Sequence, residues 1–264
     1  NNKSKINDEI LNLDGMTGKM TRHFYNNLCS IQDCRYLEIG CFKGSSTCSA
    51  MYKNTIFSTS IDNWSEFGGP KENFYENFKK FMGLNNSNFI ENDFLSIDLT
   101  KLKKYNIYLY DGPHDYEYHE KSLSYYQDVL DDMFIFIVDD WNWKHVRRAT
   151  LKSIEINNLH ILWDKEIRTN NNNTTKCSGE KNKDTWWNGI YICLLHKKKN
   201  SDKKINNIKE INNDNETDNN KETEETSINI DDNICIKKNS KINVKFNKSK
   251  NTKKNVKDII DNIF

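Results

Sequence analysis

The sequence predicts an α/β protein: a doubly wound, mostly parallel seven-stranded sheet with an antiparallel last strand. Three observations lead there. Short β-rich runs alternate with helical stretches along the first two thirds of the chain, as in a parallel sheet with crossover helices. The run Met133-Phe-Ile-Phe-Ile-Val138 is continuously apolar, as befits a strand covered on both faces. The last two strand-like runs, 159–167 and 187–195, are joined by a loop (169–184) with no long helical stretch, so they read as a hairpin.

Residues 1–14 are polar and are expected to be flexible. From Met16 to Leu28 the pattern is amphipathic, with Met20, Phe24 and Leu28 four apart on one face. This helix either packs across the edge of the first strand or carries Lys19, Arg22 or His23 toward a ligand mouth. The first strand is Tyr36-Leu-Glu-Ile39. The second is Thr55-Ile-Phe-Ser-Thr-Ser-Ile61, ending in Asp62. A loop marked by Gly68-Gly69-Pro70 follows, then a helix from Lys71 to Met82 with Phe74, Phe78 and Phe81 on one stripe. Strands are expected at 88–93, 105–110 and 133–138. Helices are expected from about 115 to 130 and from 144 to 156. The domain spans 15–196. From 197 to 264 the chain is rich in Asn, Lys, Glu and Asp with few apolar residues, a composition expected to be disordered.

Composition narrows the function. Lys and Arg number 39 against 38 acidic residues, a net charge of +1, so no global field favours nucleic acid or an anionic membrane. No apolar run reaches membrane-spanning length, and no signal-peptide layout is expected at the N-terminus. The seven cysteines form no C-x-x-C pair, and several sit in apolar stretches; reduced thiols in a cytoplasmic protein are the expectation. Oligomeric state is not readable.

Two constellations carry chemistry. The first is the turn after the first strand, Glu38-Ile-Gly40-Cys-Phe-Lys-Gly44-Ser-Ser-Thr47. Strand, glycine turn and helix start bring backbone N–H groups close to a ligand, Gly40 permits positive φ, and Ser45 or Ser46 suits a helix cap. The spacing lacks the G-x-G-x-x-G of a dinucleotide cradle. Asp62, at the end of the second strand, stands where nucleoside-binding α/β folds set a carboxylate against ribose hydroxyls. Asp93 or Asn92, at the exit of the third strand, stands where an adenine amino group is often met. The second constellation is acidic: Asp111 after the fourth strand, and Asp139 and Asp140 after the fifth. Three like charges at neighbouring strand ends need a cation or raised pKa values.

The pattern E-x-G-x-x-x-G-x-S resembles motif I of class I S-adenosylmethionine-dependent methyltransferases, which have a Rossmann-like fold with an antiparallel last strand. Strand–Asp followed by strand–Asp-Asp resembles the metal site of catechol- and macrolide-sugar-type O-methyltransferases. Asp111-Gly-Pro-His114-Asp-Tyr116-Glu117 with Val138-Asp-Asp-Trp141 resembles glycan-associated domains of the same class. The resemblance covers about residues 15–196. It implies S-adenosylmethionine at Glu38, Gly40, Gly44, Ser45, Asp62 and Asp93, Mg²⁺ at Asp111, Asp139 and Asp140, and methylation of a small-molecule or glycan hydroxyl.

One departure stands out. The catechol-type enzymes carry a Lys near the first metal-binding Asp, and none is present here. His114 takes the role of base beside Asp111 in this reading, since an imidazole pKa near ~6.5 suits proton removal. It equally suits a partner that orients Asp111. His145 is a lesser candidate. Trp64, Trp141 and Trp143 either shape an acceptor pocket or belong to the core. The expected partner is a small-molecule or glycan acceptor, with no nucleic acid and no membrane. The alternatives are a metal-free or inactive nucleoside-binding protein of this fold, or an interaction module.

Overall fold

The structure is a computed structural model that describes residues 4–170 and 179–197. The strands are β1 (Arg35–Ile39), β2 (Phe57–Asp62), β3 (Asn86–Glu91), β4 (Tyr105–Tyr110), β5 (Leu130–Asp139), β6 (Leu159–Ile167) and β7 (Ile190–Lys197). They form one sheet in the order β3-β2-β1-β4-β5-β7-β6. The first five are parallel, and β7 runs antiparallel to both β5 and β6. The expected fold class and the final hairpin are both present. The helices are α1 (Asp8–Leu11), α2 (Lys19–Leu28), α3 (Ser45–Met51), α4 (Lys71–Phe81), α5 (Tyr116–Tyr126) and α6 (Lys144–Ile156).

Strand character follows burial. β1 and β4 lie in the middle of the sheet, and Tyr36, Leu37, Ile107, Tyr108 and Leu109 have no exposed surface. β3 is an edge strand and is half exposed. It joins its neighbour partly through side chains: Ser58 Oγ donates to Ser87 Oγ (2.6 Å) and Thr59 Oγ1 to Asn88 Oδ1 (2.8 Å). The core is unusually rich in tyrosine, and each hydroxyl needs a partner once buried. Tyr105 donates to Thr59 Oγ1, Tyr110 to the Pro113 carbonyl and Tyr126 to the Phe94 carbonyl.

Within residues 4–14 the chain forms the short helix α1. α1 begins with the Asn7 side chain accepting from the Ile10 N–H, and Ile10 is fully buried. Arg22 explains the anchoring. Its guanidinium is buried and donates to the carbonyls of Ile10, Leu13 and Thr17. Burial lowers its pKa to about 10. Arg22 is therefore a structural tie and not a ligand-facing cation. From residue 198 onward the expected tail lies outside the described residues.

Candidate active site

All the parallel strands end on one edge of the sheet, and a cavity of about 290 Å³ opens there. Gly40, Cys41, Ser45, Asp62, Asp93, Asp111, His114, Asp139 and Asp140 all border it. The two constellations therefore meet in one place.

The glycine turn is built by close packing. Gly40 has φ +83° and donates its N–H to the Ile61 carbonyl, while Asp111 N–H donates to the Ile39 carbonyl (both 2.9 Å). A Cβ on Gly40 would lie 1.9 Å from the Asp111 carbonyl oxygen. The glycine thus lets β4 exit against the end of β1. Gly44, φ +86°, is the N-cap of α3, with Phe74 3.1 Å from where a Cβ would sit. Neither expected serine caps this helix. Ser45 Oγ donates to Thr17 Oγ1 (2.9 Å), and Ser46 Oγ donates to Glu38.

Glu38 and Gly44 do not border the cavity. Glu38 is fully buried, and its carboxylate accepts from Ser46 and from Thr47 Oγ1 (2.7 Å). Burial raises its pKa to about 7, against the lowering effect of those hydroxyls. It fastens α3 to β1 from inside the core.

Asp62 borders the cavity, but most of its carboxylate is already engaged. Oδ2 accepts from Cys41 N–H (2.8 Å) and Phe42 N–H (2.9 Å), and Oδ1 from Trp64 N–H (2.7 Å). With two lone pairs per oxygen, Oδ2 is filled and Oδ1 keeps one acceptor position. Asp93 accepts from Leu95 N–H at the start of a short 3₁₀ turn (Phe94–Ser96) and is exposed.

On the acidic side, Asp111, Asp139 and Asp140 border the cavity together. Burial, then the charges of Asp139 and Asp140, hold Asp111 well above the usual carboxylate range. Burial and then Asp140 do the same to Asp139. Asp140 has φ +54°, outside strand geometry, and its Oδ2 lies 3.2 Å from His114 Nε2. Asp111 Oδ1 is 3.9 Å from the same nitrogen. His114 Nδ1 is buried with no partner. Behind it His119 stacks at 5.8 Å, and Trp143 meets it edge-on at 5.2 Å. Burial, then His114 and His145, hold His119 well below the usual imidazole range.

The expected magnesium site is not formed. Among the described residues, no group of three or more His, Cys, Asp or Glu side chains is disposed to hold a metal ion. The reason is local. The left-handed turn at Asp140 directs its carboxylate to His114.

The tryptophans divide. Trp141 is core: it is 1% exposed, stacks on Tyr191 at 4.1 Å and donates to Glu166. Trp64 does both jobs, packing on Phe74 and donating to the Phe42 carbonyl while bordering the cavity. Trp143 borders it too, and His145 stacks on Trp143 from the far end of the ring series. The segment read as a possible ligand mouth does border the cavity, through Met16 and Thr17 and not Lys19, Arg22 or His23; Trp187 and Asn188 on the same rim were missed. There the start of α2 is tied to the segment before β7: Lys19 N–H donates to the Lys183 carbonyl and Met20 N–H to the Thr185 carbonyl. The one sequence signal was Gly18, since a Cβ there would lie 2.3 Å from the Thr185 carbonyl.

No family model matches the chain, and no curated protein matches it in sequence. Solved structures do. An O-methyltransferase from Bacillus cereus in complex with SAH is 10% identical over 72% of this chain and 90% of its own, with a TM-score of 0.47. An rRNA methylase from Streptococcus thermophilus is 11% identical over 67% of this chain and 96% of its own, TM-score 0.44. The SAH-bound Podospora anserina methyltransferase PaMTH1 is 14% identical over 62% of this chain and 72% of its own, TM-score 0.42. At these identities the likeness concerns the fold alone. The sheet order β3-β2-β1-β4-β5-β7-β6 with antiparallel β7 is the Rossmann-like methyltransferase fold.

Proposed function

We propose that the chain is an S-adenosylmethionine-dependent methyltransferase acting on a hydroxyl of a small molecule or glycan. The observation that carries this reading is the convergence of the glycine turn, Asp62, Asp111, His114, Asp139 and Asp140 on one cavity of this fold. The cofactor's sulfonium supplies an already activated methyl group. The chain's own task is alignment and proton removal.

The residues present fit such a nucleoside. Asp62 Oδ1 keeps an acceptor position for one ribose hydroxyl, and Asn92, Asp93 and Phe94 border the cavity where a base would lie. On the acceptor side, His114 Nε2 is the ring nitrogen beside the carboxylates, Nδ1 being closed off. A proton leaving the acceptor hydroxyl is taken up by the His114–Asp140 pair, whose Nε2 and Oδ2 lie 3.2 Å apart. Asp140 then stabilises the imidazolium, and the Trp143 and His119 rings fix its plane. No step is routed through a metal ion.

Titration calorimetry with S-adenosylhomocysteine tests the cofactor claim. One molecule is expected to bind per chain, with affinity reduced by Asp62→Asn and Asp93→Asn. Absence of binding to the folded wild type sinks the reading. Gly40→Val is a poor probe, because the new Cβ meets backbone and not ligand. For transfer, His114→Gln is expected to lower turnover by ~10²-fold or more with cofactor affinity retained. Adding a chelator to the same assay reports whether a divalent ion takes part.

A further inference from the structure

The cavity is bordered by acidic side chains and by no described Lys or Arg. Six acidic side chains border it: Asp62, Glu66, Asp93 and Asp140, together with Asp111 and Asp139, which burial holds above the usual carboxylate range. Among the described residues that line it, none is Lys or Arg, although the chain holds 39 of them. Four described cations are turned to other partners. Lys43 pairs with Asp14, Lys19 with Asp184 and Lys71 with Glu91, and Arg147 donates to the carbonyls of Trp141 and Asn142. The whole chain has a net charge of +1, so this segregation belongs to the cavity and not to composition.

Asp139 is 7% exposed and Asp140 5%, and both still border the cavity. Carboxylates accept hydrogen bonds and do not donate when ionised. Apolar walls beside them, among them Ile39, Trp143 and Trp187, concentrate the negative field. Indole rings in such a wall favour sugar rings and ammonium groups. A phosphate or carboxylate brought here would meet like charge with no described guanidinium or ammonium to receive it.

We infer that the acceptor is a small polyhydroxy compound bearing a protonated amine, of the amino-sugar class, and that acceptors with phosphate or carboxylate beside the reacting hydroxyl are excluded, phosphodiester chains among them. The inference rests on the methyltransferase reading and adds the sign of the acceptor's charge to it.

The test is ligand-observed NMR on the full chain saturated with S-adenosylhomocysteine, with chelator present so that no metal bridges the probe. The probes are glucosamine, glucose and glucose 6-phosphate, with a short RNA oligonucleotide as a fourth. Glucosamine is expected to bind at least ~tenfold more tightly than glucose 6-phosphate, a gap of one decade in affinity. Asp140→Asn is expected to narrow that gap. So is Glu66→Gln, at an exposed position that leaves the sheet untouched. Equal affinities, tighter binding of glucose 6-phosphate or RNA, or no glucosamine binding overturns the inference. Failure of S-adenosylhomocysteine itself to bind would instead strike the reading beneath it.

Discussion

Glu38 shows what a single side chain does when the motif around it folds. Its carboxyl is sealed in the core with two hydroxyls donating to it, and burial still raises its pKa from 4.5 to about 7. The folded state therefore holds this proton over a pH range in which the unfolded chain has released it. Stability is full below about pH 4.5, falls as pH rises to about 7 and is flat above. A shift of that size corresponds to about 3 kcal/mol. Denaturant unfolding of wild type and Glu38→Gln across pH 4–8 checks this: the slope is expected to be markedly smaller in the variant. An equal slope would mean that other groups, such as Asp111 and Asp139, account for it. Gly40 gives a second prediction at this scale. Gly40→Ala combines φ +83° with a Cβ 1.9 Å from a carbonyl oxygen, and is expected to cost about 3 kcal/mol or more in chemical denaturation.

Between elements, Asp62 acts as a clamp. Its carboxylate fastens the turn after β1 to the loop after β2 through three backbone N–H groups. Asp62→Ala is expected to destabilise the ligand-free protein by about 2 kcal/mol, since buried donors lose their acceptor. Thermal melts without ligand check it. A carboxylate that only met ribose hydroxyls would leave those melts unchanged. The position of Asp62 was legible in the sequence because β-rich runs ending in a carboxylate mark a strand's carboxyl end. Its hydrogen bonds were not, because they depend on Phe42 and Trp64 both adopting positive φ, +47° in each case. The same holds for Ser45 and Ser46, whose residue types suit a cap but whose hydroxyls found Thr17 and Glu38 closer. At the N-terminus, polarity concealed the anchoring of Ile10, which depends on Arg22 twelve residues away.

At the scale of the whole molecule, a bound ligand and the fold share one free energy. A ligand that binds only the folded state stabilises it by about 2.7 kcal/mol at a hundred times its Kd. S-adenosylhomocysteine is therefore expected to raise the melting temperature in proportion to the logarithm of its concentration, and glucosamine to add to that shift only when the nucleoside is already present. Among the described residues, no helix is long and apolar enough to cross a membrane.

The sequence by itself determined the sheet, its alternation with helices, the returning last strand and the edge at which the carboxylates gather. Each of these is written in local period or in strand ends, and parallel strands deliver their carboxyl ends to one side whatever the details. The tertiary structure alone decided where each carboxylate points and what closes the rim. Glu38 turns into the core and Asp140 toward His114, while Met16 and Thr17 meet Trp187 and Asn188 from the other end of the domain. Side-chain direction is settled by whichever hydrogen-bond partner packing brings within reach. Between residues some 170 positions apart no periodicity records that partner.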